Sequence, residues 1–140
     1  MQMGERVRAS FAAQGLMRTL GATLAHVSDG EVHIALPFSA TLTQHHGFLH
    51  AGVVASIMDN ACGYAALTQA PPGREVVTAE FKVNFMRPAL GARFLALGRV
   101  QNAGRLLTVC TGEVRAFADG ASPEYKVVAL MQATVVSVAN

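Results

Sequence analysis

The sequence predicts an α+β fold in which an antiparallel sheet wraps one long central helix. Three observations carry that reading. Residues 51–70 are almost wholly apolar or small, with Asp59 as their one charge, and Pro71-Pro72-Gly73 closes the run firmly. A segment of that length is a helix, and one that is apolar on nearly all sides needs cover on nearly all sides. Most strand-like segments follow this helix in a block, which marks α+β rather than an alternating parallel fold.

Taken in order, residues 4–20 have apolar side chains at helical spacing, with Val7, Phe11, Leu16 and Leu20 able to line one face and Gly15 weakening it. Two alternating runs follow, at residues 22–27 and 31–36. The Ser28, Asp29 and Gly30 between them are a short-range hairpin signal. Residues 37–48 read as a loop, and the helix of residues 51–70 comes next. Three or four long strands then follow, at residues 75–85, 93–100, 106–117 and 125–138, broken at Arg87-Pro88, Asn102-Ala103-Gly104 and Asp119-Gly120-Ala121. With no internal repeat or linker, residues 1–140 read as a single domain. A sheet curled around one long helix is the arrangement called the hotdog fold.

A chain of 140 residues, 51% hydrophobic and only 14% charged, suits one globular core and some apolar surface buried in an oligomer, and excludes a disordered chain. No apolar run reaches the length that spans a bilayer, so no membrane association is expected. Residues 1–10 carry Glu5, Arg6 and Arg8 without a following apolar segment, so no secretory signal is read and a cytoplasmic protein is expected. Cys62 and Cys110 lack metal-type spacing and are expected to be buried free thiols. The net charge of +2 comes from scattered basic residues. That argues against nucleic acid while leaving arginines for a small phosphorylated ligand.

Asp59 is the residue that does not belong in a core. Burying a carboxylate costs several kcal/mol unless it is paired or neutralised, and no Lys or Arg lies within residues 51–70. Its helical neighbours Ala55, Ser56, Cys62 and Gly63, with Gly52 and Ala66 further along, are all small, so a ligand, water or backbone can approach it. Val54, Ile57, Met58, Tyr64 and Leu67 are expected to point into the core. A structural carboxylate held by backbone or a distant arginine is the plain alternative. A general base or nucleophile is the functional one.

The helix is preceded by His45, His46, Gly47, Phe48, Leu49 and His50 and starts at Ala51-Gly52. Small residues at a helix start let a ligand approach unpaired N–H groups that bear partial positive charge, and such donors can hold a thioester carbonyl as its oxyanion forms. Ala51 and Asp59 are eight positions apart, roughly 12 Å along a helix. One subunit therefore cannot bring both to one bond. If both act together, Asp59 comes from a second subunit whose helix runs antiparallel alongside, which predicts a homodimer with shared active sites.

At these residues the sequence resembles the PaaI-type hotdog thioesterases, within the 4-hydroxybenzoyl-CoA thioesterase-like superfamily. Their pattern is Asn, a Gly-containing loop, His-Gly-Gly, then Asp eight residues beyond the first glycine. Here His50-Ala51-Gly52 is followed by Asp59, and Asp59-Asn60-Ala61-Cys62-Gly63 is similar to the family helix. Downstream, Thr78 to Ala89 resembles a family strand ending in an aromatic–Leu/Met–x–Pro–Ala signature, here Phe85-Met86-Arg87-Pro88-Ala89. The likeness runs from about Leu42 to the C-terminus. It implies an acyl-CoA thioesterase acting on an aryl- or medium-chain acyl-CoA, with Asp59 as general base or nucleophile and no metal or organic cofactor. It implies that the Ala51 N–H belongs to an oxyanion hole, that Gln44 lies near the thioester carbonyl, and that Thr78 helps hold the attacking water. His50, Gly52, Ser56 and Arg87 are the expected substrate contacts, Arg87 toward a coenzyme A phosphate. Ala51 departs from the family glycine, keeping the donor but adding a methyl that narrows the acyl site. The family also implies a homotetramer of two dimers.

On strand 75–85, Thr78, Glu80, Lys82 and Asn84 alternate with Ala79, Phe81, Val83 and Phe85. The first set is expected to form a polar face, with Glu80 and Lys82 as a pair, and the second to pack. Zinc at His45, His46 and His50 is set aside because Gly47 intervenes and no paired carboxylate motif follows. A Gly-x-Ser-x-Gly elbow is absent, against a serine hydrolase. The remaining alternatives are a hotdog hydratase or dehydratase, whose patterns are absent, and a non-catalytic acyl-CoA binder.

Overall fold

In the computed structural model, which describes residues 2–139, the chain opens with two helices, Met3–Ala13 (α1) and Gly15–Leu20 (α2). The one helix expected here is broken at Gln14, whose backbone is extended (φ −85, ψ 121). That break rotates the second piece. Val7 stays buried and Phe11 and Leu20 pack on the core, but Met17 is buried in place of Leu16, which is 48% exposed. Strands Thr23–Ser28 (β1) and Glu31–Pro37 (β2) form the expected hairpin, with Gly30 at φ +77 taking the turn conformation that L side chains disfavour. After a short 3-10 helix, Ala40–Leu42, comes the central helix Ala51–Leu67 (α3). Strands Arg74–Phe85 (β3), Arg93–Ala103 (β4), Leu107–Phe117 (β5) and Lys126–Ala139 (β6) complete the chain.

The strands form one six-stranded sheet in the order β1-β2-β4-β5-β6-β3, with every pairing antiparallel. It curls around α3 as the hotdog fold requires. Val54, Ile57, Met58, Ala61, Cys62 and Ala65 recur at spacings of three and four and are buried. Two glycines let the helix sit this close. A methyl on Gly98 in β4 would overlap the Ala61 backbone, and one on Gly112 in β5 would lie 3.0 Å from Cys62 Sγ. Both cysteines are free and buried, as expected, and burial pushes both thiols up, Cys110 to about 11. No helix among the described residues is long and apolar enough to cross a membrane.

Four expectations about α3 and β3 change. The helix stops at Leu67 rather than residue 70. It is not covered all round: Ala51 and Gly52 are exposed, and Ala55, Ser56, Asp59, Asn60 and Gly63 are half-buried along one strip. Cys62, expected beside Asp59, lies under the sheet instead, because it is on the face that meets Gly112.

The fourth change is in β3. Thr78 pairs with Val135 and Glu80 with Thr134, so the register shifts by one residue at Ala79. That bulge puts Thr78 on the inner face with Phe81, Val83 and Phe85, and leaves Glu80, Lys82 and Asn84 outside. Glu80 bonds Thr134 there rather than Lys82.

Candidate active site

Asp59 projects from the half-covered strip of α3 toward β3, where the Thr78 hydroxyl donates to Asp59 Oδ1 at 2.7 Å. The pair borders a cavity of about 330 Å³ together with Ser10, Gln14, Gly63, Tyr64 and Val76. Tyr64, expected in the core, turns its hydroxyl toward α1. It receives a hydrogen bond from Gln14 Nε2 at 2.9 Å and lies 3.2 Å from Ser10 Oγ. The end of α1 and the break at Gln14 thus wall one side of the Asp59 cavity. Nothing in local sequence spacing signals this, since the partners lie 54 and 50 residues apart.

The helix start is organised by its own cap. His50 Nδ1 accepts from the Gly52 N–H at 2.8 Å, and the Val53 and Val54 N–H groups both reach the His50 carbonyl. The Ala51 N–H is left without an acceptor among the described residues. Ser56 turns its hydroxyl back to the Gly52 carbonyl at 2.7 Å. Gln44 is fixed in the preceding loop, where its Oε1 accepts from the His46 and Phe48 N–H groups at 2.6 and 3.1 Å. That orientation leaves its amide NH₂ as the free donor. Gln44 and Ala51 border a second cavity of about 330 Å³, with Phe48, Phe85, Met86 and Arg87 on its walls. Arg87 donates to the Val127 carbonyl at 2.6 Å. The His45 and His46 rings meet at a tilt of 45° with centroids 4.0 Å apart, while His50 is spent on the cap, so the three histidines do not converge.

Of the predicted residues, the fold brings together Asp59 with Thr78, and separately Gln44 with Ala51 and Arg87. The two groups line different cavities of one chain. A carboxylate bonded to a hydroxyl is a group that general-base chemistry uses, and an unpaired helix N–H sharing a cavity with a free amide donor is one that can hold an oxyanion.

The fold and the comparisons with known proteins mark a hydrolase of the thioesterase type. A family model described as the thioesterase superfamily matches residues 46–121, and the chain belongs to that superfamily. A Halobacterium salinarum protein whose name proposes it as an esterase is 32% identical over 115 residues, covering 79% of this chain and 76% of its own. The crystal structure of a thioesterase family protein from Silicibacter pomeroyi superposes with a TM-score of 0.94 at 44% identity, covering 99% of both chains. The PaaI protein of the E. coli phenylacetic acid degradation operon shares the fold, with a TM-score of 0.86 at 20% identity over 99% of this chain and 94% of its own.

Proposed function

We propose that the protein hydrolyses an aryl- or medium-chain acyl-CoA in a homodimer, each active site combining Gln44 and Ala51 of one subunit with Asp59 and Thr78 of the other. The observation that carries the reading is the separation of these groups into two cavities of a single chain. The long edge strand β3 supports it. It ends the sheet and carries Phe81 and Phe85, 44% and 50% exposed, which is a surface that a second β3 would cover. Pairing of two β3 edges lays two α3 helices side by side, with the small residues around Asp59 between them. Two such dimers form the tetramer.

In this reading the thioester oxygen accepts from the Ala51 N–H and the Gln44 amide. Asp59 acts as general base. It takes a proton from water as the water oxygen bonds to the carbonyl carbon, while the Thr78 hydroxyl, donating to Oδ1, also accepts from that water. The carbon–sulfur bond then breaks, and the leaving thiolate recovers the proton from Asp59. Free acid and coenzyme A result, and no cofactor is needed. Gly52 and Ser56 keep the approach narrow and small, His50 holds the helix start, and Arg87 faces a coenzyme A phosphate. The two free buried cysteines fit a reducing, cytoplasmic setting.

The test is free-thiol release from aryl-, short- and medium-chain acyl-CoAs, comparing wild type with Asp59→Asn. Release that falls by several orders of magnitude in the variant, with substrate binding kept, is the expected result. No release by the folded wild type from any substrate would replace hydrolysis with binding alone.

A further inference from the structure

His26 in β1 and His33 in β2 pair directly across the strand ladder, and a register shift between Leu24 and His26 brings them opposite. Their ring centroids are 4.6 Å apart. Glu31 lies two residues before His33 and so shares its face, with Glu31 Oε2 2.6 Å from His33 Nε2. The other carboxylate oxygen accepts from Arg99 Nε at 2.8 Å. The guanidinium therefore holds Glu31 from behind and leaves Oε2 turned toward the histidines. One donor atom from each of the three residues lies within 4.8 Å of the other two, and no other such group of three occurs among the described residues. His26 is exposed, and Glu31 and His33 are half-buried.

Two imidazoles and a carboxylate are the donor set of zinc-type ions, whereas magnesium and calcium favour all-oxygen sites. We propose that His26, Glu31 and His33 form a three-ligand site for a divalent transition-metal ion, pinning edge strand β1 to β2. Ligand atoms around such an ion stand about 3.4 Å apart. His33 and Glu31 therefore open by less than about 1 Å from their present contact, and His26 Nε2 leaves the Ser28 hydroxyl 2.8 Å away. Both moves are rotations of side chains with access to solvent. Water fills the remaining coordination positions, and Arg99 supplies the outer contact that orients the carboxylate. The site belongs to the β1 edge, whereas β3 forms the opposite edge of the sheet, so it is independent of the hydrolytic reading.

Calorimetric titration of the full chain with zinc chloride, and separately nickel chloride, in a non-coordinating buffer tests the site. Saturable binding of one ion per chain is expected, with a higher melting temperature in the metal's presence and no binding of magnesium. His26→Gln and His33→Gln are each expected to weaken zinc by at least the roughly tenfold that even outer-shell changes cost. A His45→Gln/His46→Gln variant keeps wild-type affinity. Ring-nitrogen NMR of the wild-type chain gives the same readout without substitution, with zinc-dependent shifts confined to His26 and His33. Absence of saturable binding, wild-type affinity in either single variant, or shifts centred on His45 and His46 would overturn the proposal.

Discussion

Thr78 Oγ1 meets Asp59 Oδ1 at 2.7 Å only because β3 bulges at the next residue. Continued strict alternation from Glu80 would turn the Thr78 side chain away from α3. The bulge gives the strand an outward polar face and still delivers one hydroxyl inward.

That bond separates a positioning role from mere packing. Thr78→Ser keeps the donor, and its turnover is expected to stay within a few-fold of wild type. Thr78→Val keeps the shape and removes the donor. A hydrogen bond to a charged acceptor is worth about 1.5–3 kcal/mol, so kcat is expected to fall roughly 10- to 100-fold with KM little changed. Steady-state kinetics of the two variants on one acyl-CoA decide it. Equal activity of Val and Ser would leave Thr78 a packing residue.

The packing of α3 rests on a glycine. A methyl on Gly98 would strike the backbone of Ala61, which has no rotamer to escape into. Gly98→Ala is therefore expected to destabilise the chain by about 1–3 kcal/mol or more, lowering the melting temperature by roughly 5–10 °C. Thermal unfolding followed by circular dichroism checks this. An unchanged midpoint would mean that the helix does not sit as close to β4 as described.

The two cysteines make a pH prediction. Burial raises the Cys110 thiol to about 11 and Cys62 further, so both folded values lie above the unfolded value of about 8.5. The native fold holds these protons more tightly than the unfolded chain. Their stabilising contribution is thus complete below about pH 8.5 and is lost as pH rises toward and through the folded value. Iodoacetamide at pH 8 is expected to label neither thiol in the native chain and both in denaturant. The melting temperature is expected to fall above pH 8.5, less steeply in Cys110→Ala. Rapid native labelling would contradict the burial.

How much of this was legible in the sequence follows from the range of the interactions involved. The long helix, the hairpin at Asp29-Gly30 and the late block of strands are local patterns, and each lies within a few residues of its expected place. Asp59 stood out because a lone charge in an apolar run needs a reason. Alternation alone puts Thr78 on the outer face with Glu80, because a one-residue bulge leaves no mark in composition. Tyr64, Ser10 and Gln14 were missed because their meeting joins chain segments some fifty residues apart. The three histidines near the helix drew attention by proximity in sequence, yet the set that converges, His26 and His33 with Glu31, depends on strand register.

Shared active sites make the strongest demand on the proposed dimer. Ala51 is the first residue of α3, and its N–H is the donor assigned to the thioester oxygen. Proline is tolerated at that first position, and His50 before it already has the extended conformation that a following proline requires (φ −60, ψ 138). Ala51→Pro is therefore expected to fold and dimerise normally while losing turnover. Asp59→Asn is expected to be inactive as well. In a hybrid dimer both changes fall in one site, because each site takes Ala51 from one chain and Asp59 from the other, and the second site is intact. Random mixing makes about half the dimers hybrids with one working site of two, so roughly a quarter of wild-type activity is expected after the two inactive proteins are unfolded and refolded together. Recovery of that size requires that Ala51 and Asp59 serve one bond from different chains. A mixture as inactive as its parents, with hybrid dimers seen by native mass spectrometry, would place both groups of each site in the same chain or remove Ala51 from the chemistry.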